Sequence, residues 1–145
     1  MKIAILFFFI FANIIFANKL VKSGDYVIDD ANRLMWQDSY DTVKIRLTHP
    51  DALIHCENLH FAGFSDWRLP NRTEYKLIID KTRQDEIMIN RAFKYILPED
   101  YWASDRTWIR NFGLYGYFVY FKSGAIYYQN RTLYKKFVRC VRDLK

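Results

Sequence analysis

AGFSDWRLPNRTEYKLIID, residues 62–80, decides the fold of this chain. The run opens within a turn over His60 to Ser65, in which Gly63 is the most permissive residue. The run continues through Trp67, Arg68, Leu69 and Pro70 into a helix start. Pro70 stops a helix from reaching back across it. Asn71 and Glu74 have the spacing of a capping box, in which each satisfies a free backbone N–H of the other's residue. Tyr75, Ile78 and Ile79 then offer the inward face of this helix, and Asp80 and Lys81 lead out.

On the N-terminal side, a helix is predicted over Pro50–Leu59, with Thr48 as its cap and Pro50 in the first turn. Ala52, Cys56 and Leu59 share one face, which aims Cys56 inward. Further back, Tyr26–Ile28 and Leu34–Trp36 are short strands about a polar turn and predict a hairpin. Gln37–Thr42 is polar and predicts a surface loop.

On the C-terminal side, Ala92, Phe93 and Ile96 suit a short third helical turn ended by Pro98. Tyr101–Ala103 predicts a short strand, and Trp108–Ile109 the start of another. Tyr115–Phe121 and Ala125–Tyr128 predict a hairpin about Ser123-Gly124. Tyr134–Val141 predicts one closing strand that carries Cys140 inward, toward Cys56.

Residues 1–17 read as a secretory signal peptide: a basic Lys2, an apolar run from Ile3, and a small Ala17 before Asn18. The alternative is a retained anchor, although the run is short against the ~20 apolar residues of a spanning helix. Residues 18–145 are then one domain in the periplasm or outside the cell, with no later transmembrane span. The cysteine pair, Cys56 and Cys140, reads there as one disulfide. It would stabilise by about 4–5 kcal/mol on a chain-entropy argument.

The whole chain has 12 Phe, 11 Tyr and 4 Trp, which supplies ample apolar surface for a core. The formal charge of the whole chain is +6, of which Lys2 belongs to the leader; this basic balance suits an anionic glycan, an envelope polymer or an acidic envelope protein, or else is ordinary solubilising surface. Nucleic acid does not suit an exported chain.

Several ordered motifs resemble one family of exported bacterial domains. They are Leu34-Met35-Trp36-Gln37, the Ala52–Leu59 helix, Ala62–Pro70, Tyr101-Trp102-Ala103-Ser104, Phe121 with Ser123-Gly124, and Val138-Arg139-Cys140-Val141-Arg142. The family includes the C-terminal domain of a Legionella collagen-like adhesin and is related in fold to C-type lectins. The resemblance implies an α+β, C-type-lectin-like domain. Two helices would pack on a curved mixed sheet, stapled by a disulfide from the first helix to the last strand. Arg33 departs from the pattern, which has glycine in that turn. The resemblance implies no single function, because a fold hosts many sites.

Trp36, Asp66, Trp67, Arg68, Trp102 and Arg139 are expected to be structural. Asp66 can accept turn N–H bonds or pair with an arginine, and Arg68 can clamp a carboxylate. Binding residues are expected in the late segment, where aromatic and basic side chains interleave: Trp108, Arg110, Tyr115, Tyr117, Tyr120 and Lys122, then Tyr127, Tyr128 and Arg131. A tyrosine ring packs on sugar or protein while its hydroxyl meets a polar group.

Catalysis is not expected. His49, His55 and His60 cluster about the first helix without a nucleophile or metal motif, and no carboxylate pair stands out. The Cys spacing fits no metal site, and no cofactor is implied. Two readings follow: a non-catalytic binding domain for an anionic glycan or envelope polymer, or an accessory subunit of an envelope protein complex.

Overall fold

The computed structural model describes residues 19–145; the leader expected over residues 1–17 lies outside them. The strands are β1 (Leu20–Ser23), β2 (Tyr26–Asp29), β3 (Leu34–Gln37), β4 (Arg46–Leu47), β5 (Asp100–Ile109), β6 (Gly113–Tyr120), β7 (Ala125–Asn130), β8 (Lys136–Phe137) and β9 (Val141–Asp143). The helices are α1 (His49–Glu57) and α2 (Arg72–Ile78), and Tyr40–Val43 forms a 3-10 turn. The domain is α+β, with two sheets where one was expected. One is four-stranded in the order β1-β2-β3-β9, and the other five-stranded in the order β4-β8-β5-β6-β7. Neighbours pair antiparallel except β5 and β8, which are parallel.

The helix starts form for the expected reasons. Thr48 caps α1, accepting from the Asp51 N–H at 3.4 Å. Asn71 accepts from Glu74 N at 2.8 Å while Glu74 accepts from Asn71 N at 2.9 Å, closing the capping box of α2. Both expected hairpins form, β2–β3 and β6–β7. Arg33 sits in the β2–β3 turn at φ 56, the left-handed region where glycine is unstrained. The turn holds because Arg33 O accepts from Leu144 N at 2.8 Å.

Four expectations are corrected. Tyr101–Ala103 and Trp108–Ile109 belong to one strand of 10 residues, with a register shift between Trp102 and Arg106. Tyr134–Val141 is not one strand: β8 joins the five-stranded sheet and β9 the four-stranded one. Residues 92–96 form turns and irregular chain, not a helical turn. Gln37–Thr42 is no surface loop, since Gln37, Asp38, Ser39 and Thr42 are buried.

The five-stranded sheet separates two cores. On one side Tyr75 and Ile78 of α2 pack with Trp36, Tyr101, Val119 and Phe121. On the other, Ala52 and Cys56 of α1 pack with Trp67, Trp102, Phe118 and Cys140. The disulfide Cys56–Cys140 lies in this second core and closes a separation of 84 residues. Trp102 donates to Leu47 O at 2.8 Å and Trp67 to Phe61 O at 3.1 Å. Arg68 forks onto both oxygens of Glu74 at 2.7 Å, and its backbone exchanges two hydrogen bonds with Val141. Asp66 accepts from Arg142 at 2.7 Å, and this partner holds its carboxyl down at about 2.

A buried ion pair joins the sheets. Asp38 and Arg139 are both fully buried, 3.2 Å apart. Arg139 also donates to the carbonyls of Gln37 and Tyr95 and covers the Phe93 ring. Asp38 accepts from the backbone N–H groups of Lys94 and Tyr95 and from Lys22. Burial alone would raise the Asp38 carboxyl, but Arg139, Lys22 and those N–H groups hold it below the usual carboxylate range.

His49 is also fully buried, edge-on to Trp102, with Nε2 2.7 Å from Ala103 O. Its ring lies so close to Gly116 that a Cβ there would stand 2.5 Å from it, so only glycine fits. Burial lowers its pKa from 6.5 to about 4 against the Ala103 hydrogen bond, and Arg131 and Arg106 lower it further.

Two outcomes follow from these buried charges. Asp38→Asn leaves the Arg139 cation uncompensated and should cost about 3–5 kcal/mol in urea unfolding. For His49, the unfolded chain takes up the proton first. Its contribution is therefore complete above pH 6.5 and falls as pH drops toward 4, by on the order of 3 kcal/mol in total. His49→Gln should remove that part of the slope in a melting-temperature series over this range.

Candidate functional site: the groove between α2 and the β6–β7 hairpin

Cross-strand register assigns each late aromatic residue to a face. Tyr117 lies opposite Tyr128 and Tyr115 opposite Asn130, while Phe118 lies opposite Tyr127 and Trp108 opposite Leu114. Residues directly opposite share a face, and faces alternate along a strand. Tyr115, Tyr117 and Tyr128 therefore lie on the α2 side, and Trp108, Tyr120 and Tyr127 on the α1 side. Arg110 is in the β5–β6 turn, and Lys122 is in the β6–β7 turn at the opposite end. The intervening eight residues of β6 span roughly 25 Å. Arg131 follows β7 and accepts from His49 N through its carbonyl at 2.9 Å. The nine expected binding residues thus divide between two faces and two ends.

On the α2 side the tyrosines form a cluster. Tyr128 meets Tyr117 and Tyr115 edge-on, with centroids 5.6 and 6.2 Å apart. The Arg72 guanidinium lies over the Tyr117 ring, 4.2 Å from its centroid. Its backbone N–H donates to Asp105 at 2.7 Å, fixing the start of α2 against β5. Arg72 and Lys76 are one helical turn apart and so project from the same side of α2.

Beyond Tyr117 the same surface opens into a cleft of about 570 Å³. Ile79, Ala125 and Ile126 supply apolar lining, and Lys76, Asp80, Lys81 and Thr82 polar lining. Gly124, at φ 69, lets the hairpin approach α2: a Cβ there would stand 2.9 Å from Ile79. Asp80 is turned onto Thr82, whose hydroxyl and N–H donate to it and hold its carboxyl down. Lys76 and Lys81 have no carboxylate partner among the described residues. The surface is an aromatic platform continued by an apolar cleft with unpaired cations.

Arg72, Lys76, Lys81 and Ile126 were not singled out from the sequence. The four-residue spacing of Arg72 and Lys76 was the available signal, but packing decides which way that helix face looks. Among the described residues no group of three His, Cys, Asp or Glu converges as a metal site would require, and no helix is long and apolar enough to cross a membrane.

A family model described as the Lcl C-terminal domain matches residues 25–142, from just before β2 into β9. No curated protein and no solved structure matches the chain. With most of its length inside that match, the chain belongs to the Lcl C-terminal domain family.

Proposed function

We propose that this chain is an exported, non-catalytic binding domain of C-type-lectin-like fold, and that the α2–hairpin groove holds an anionic glycan or cell-envelope polymer. The carrying observation is Arg72 over Tyr117 beside the cleft flanked by Lys76 and Lys81. Sugar rings pack on tyrosine faces, and sulfate, phosphate or carboxylate groups meet the cations. Family membership and the leader read from residues 1–17 support export to the periplasm or beyond.

A second reading, an accessory subunit of an envelope protein complex, draws on β7. This strand is an uncharged edge strand of the five-stranded sheet, and its Tyr127 is half exposed. Edge strands accept pairing from another chain.

Titration calorimetry with dextran sulfate, and with neutral dextran as control, tests the groove. Dextran sulfate should bind, and the affinity should fall steeply between low and high salt. Lys76→Gln with Lys81→Gln should weaken it roughly five- to ten-fold, at about 0.5 kcal/mol or more per partly screened charge. Tyr117→Ala should weaken it again. Binding that survives all three substitutions would sink the groove assignment. A stoichiometric protein recovered by crosslinking and mass spectrometry, and lost on Tyr127→Lys, would favour the second reading.

A further inference from the structure

We propose that the end of the five-stranded sheet formed by the β5–β6 turn and the segment after β7 docks peripherally on an anionic lipid bilayer. This surface is separate from the groove.

From Arg106 to Arg142 the chain contains no Asp or Glu, while Arg and Lys recur throughout. The most exposed large apolar residues of the described chain lie in this stretch: Leu133 at 76%, Trp108 at 71% and Phe112 at 69%. Topology brings them to one end. Ile109 pairs with Gly113 and Tyr115 with Asn130, so the 110–112 turn and the chain after Asn130 leave the sheet together. Each is held by local bonds. Phe112 N donates to Ile109 O at 2.9 Å, with Asn111 at φ 69, a conformation Asn tolerates in turns. Asn130 Oδ1 accepts from the N–H groups of Thr132 and Leu133, each at 3.0 Å.

The cations of this end lack carboxylates. Arg106, Arg110, Arg131 and Lys135 form no ion pair among the described residues. Arg106 and Arg131 converge. Arg106 lies opposite Gly116, the His49 ring covers Gly116, and His49 N donates to Arg131 O. Burial and the Arg106 charge both lower the Arg131 pKa. Two guanidiniums without an anion between them suit phosphate oxygens.

A bilayer surface matches this combination. Its phosphates meet the cations, and the zone beneath takes Trp and Phe rings, which favour the membrane–water interface. Each cation near an anionic surface multiplies binding roughly five-fold. A protein pocket would instead have to match three apolar side chains set on a strand end and two separate turns.

Vesicle sedimentation tests the proposal, with phosphatidylcholine alone and with phosphatidylcholine mixed with phosphatidylglycerol. Trp108 gives a direct readout, because Trp36, Trp67 and Trp102 are buried. The protein should bind the anionic vesicles, with blue-shifted Trp emission and quenching by brominated lipid. Trp108→Ser with Phe112→Ser should cut binding about ten-fold. Arg106→Gln with Arg131→Gln should cut it roughly 25-fold, and thermal melts should show each variant folded. Tyr117→Ala, which disrupts the groove, should leave vesicle binding unchanged, so the two proposals fail separately. No binding overturns the proposal. So does binding without a blue shift that survives the Trp108 and Phe112 substitutions, which would be charge attraction alone. Loss of a crosslinked protein partner in those variants, without vesicle binding, would assign this end to a protein.

Discussion

The Asp38–Arg139 pair is the constraint on which the rest of the domain depends. Arg139 lies between β8 and β9, one in each sheet. Asp38 follows β3 and accepts from the backbone at Lys94 and Tyr95. Two desolvated charges are costly, and they are tolerated because nearly every oxygen and guanidinium N–H has a partner; Arg139 Nε alone is left without one. The pair therefore acts less as a source of net stability than as a selector of arrangement. Any packing that separates the two leaves a bare charge in a core of aromatic rings. The disulfide one residue along, at Cys140, ties the same segment to α1. Adjacent residues thus hold one crossover to opposite sides of the five-stranded sheet.

That arrangement lets the sheet support two unlike surfaces. α1 and the His49 ring close the middle of one face, and α2 closes the middle of the other. Both helices are short, so neither covers the sheet completely. On the α2 side the uncovered remainder is the tyrosine cluster with its cleft. Beyond α1 it includes Trp108 and the neighbouring arginines. Aromatic richness is therefore divided: Tyr101, Phe118 and Phe121 fill cores, while Tyr128 and Trp108 remain at the surface.

The sequence was most readable where the determinants are local. Thr48, Asn71 with Glu74, and the turn at Ser123-Gly124 each act within a few residues and each appears where expected. Even the unusual Arg33 turn was visible as a departure from the family pattern. Long-range determinants left no such trace. Asp38 looked like a loop residue because its partner lies 101 residues away. The alternation across residues 134–141 was compatible with one strand, and only the separate partners of β8 and β9 break it. The candidate site was half legible. Its tyrosines were named, but cross-strand register put Trp108, Tyr120 and Tyr127 on the far face, and the orientation of α2 supplied Arg72 and Lys76.

The position of Arg139 also governs the order of assembly. A chain emerging N-terminus first presents Asp38 and Cys56 of α1 long before Arg139 and Cys140 exist. β3 has its second neighbour, β9, only when residues 141–143 arrive. Both sheets are therefore completed late, when β8 and β9 arrive. Such non-local topology folds slowly. It also keeps the nascent chain loose and threadable until its last strand is delivered.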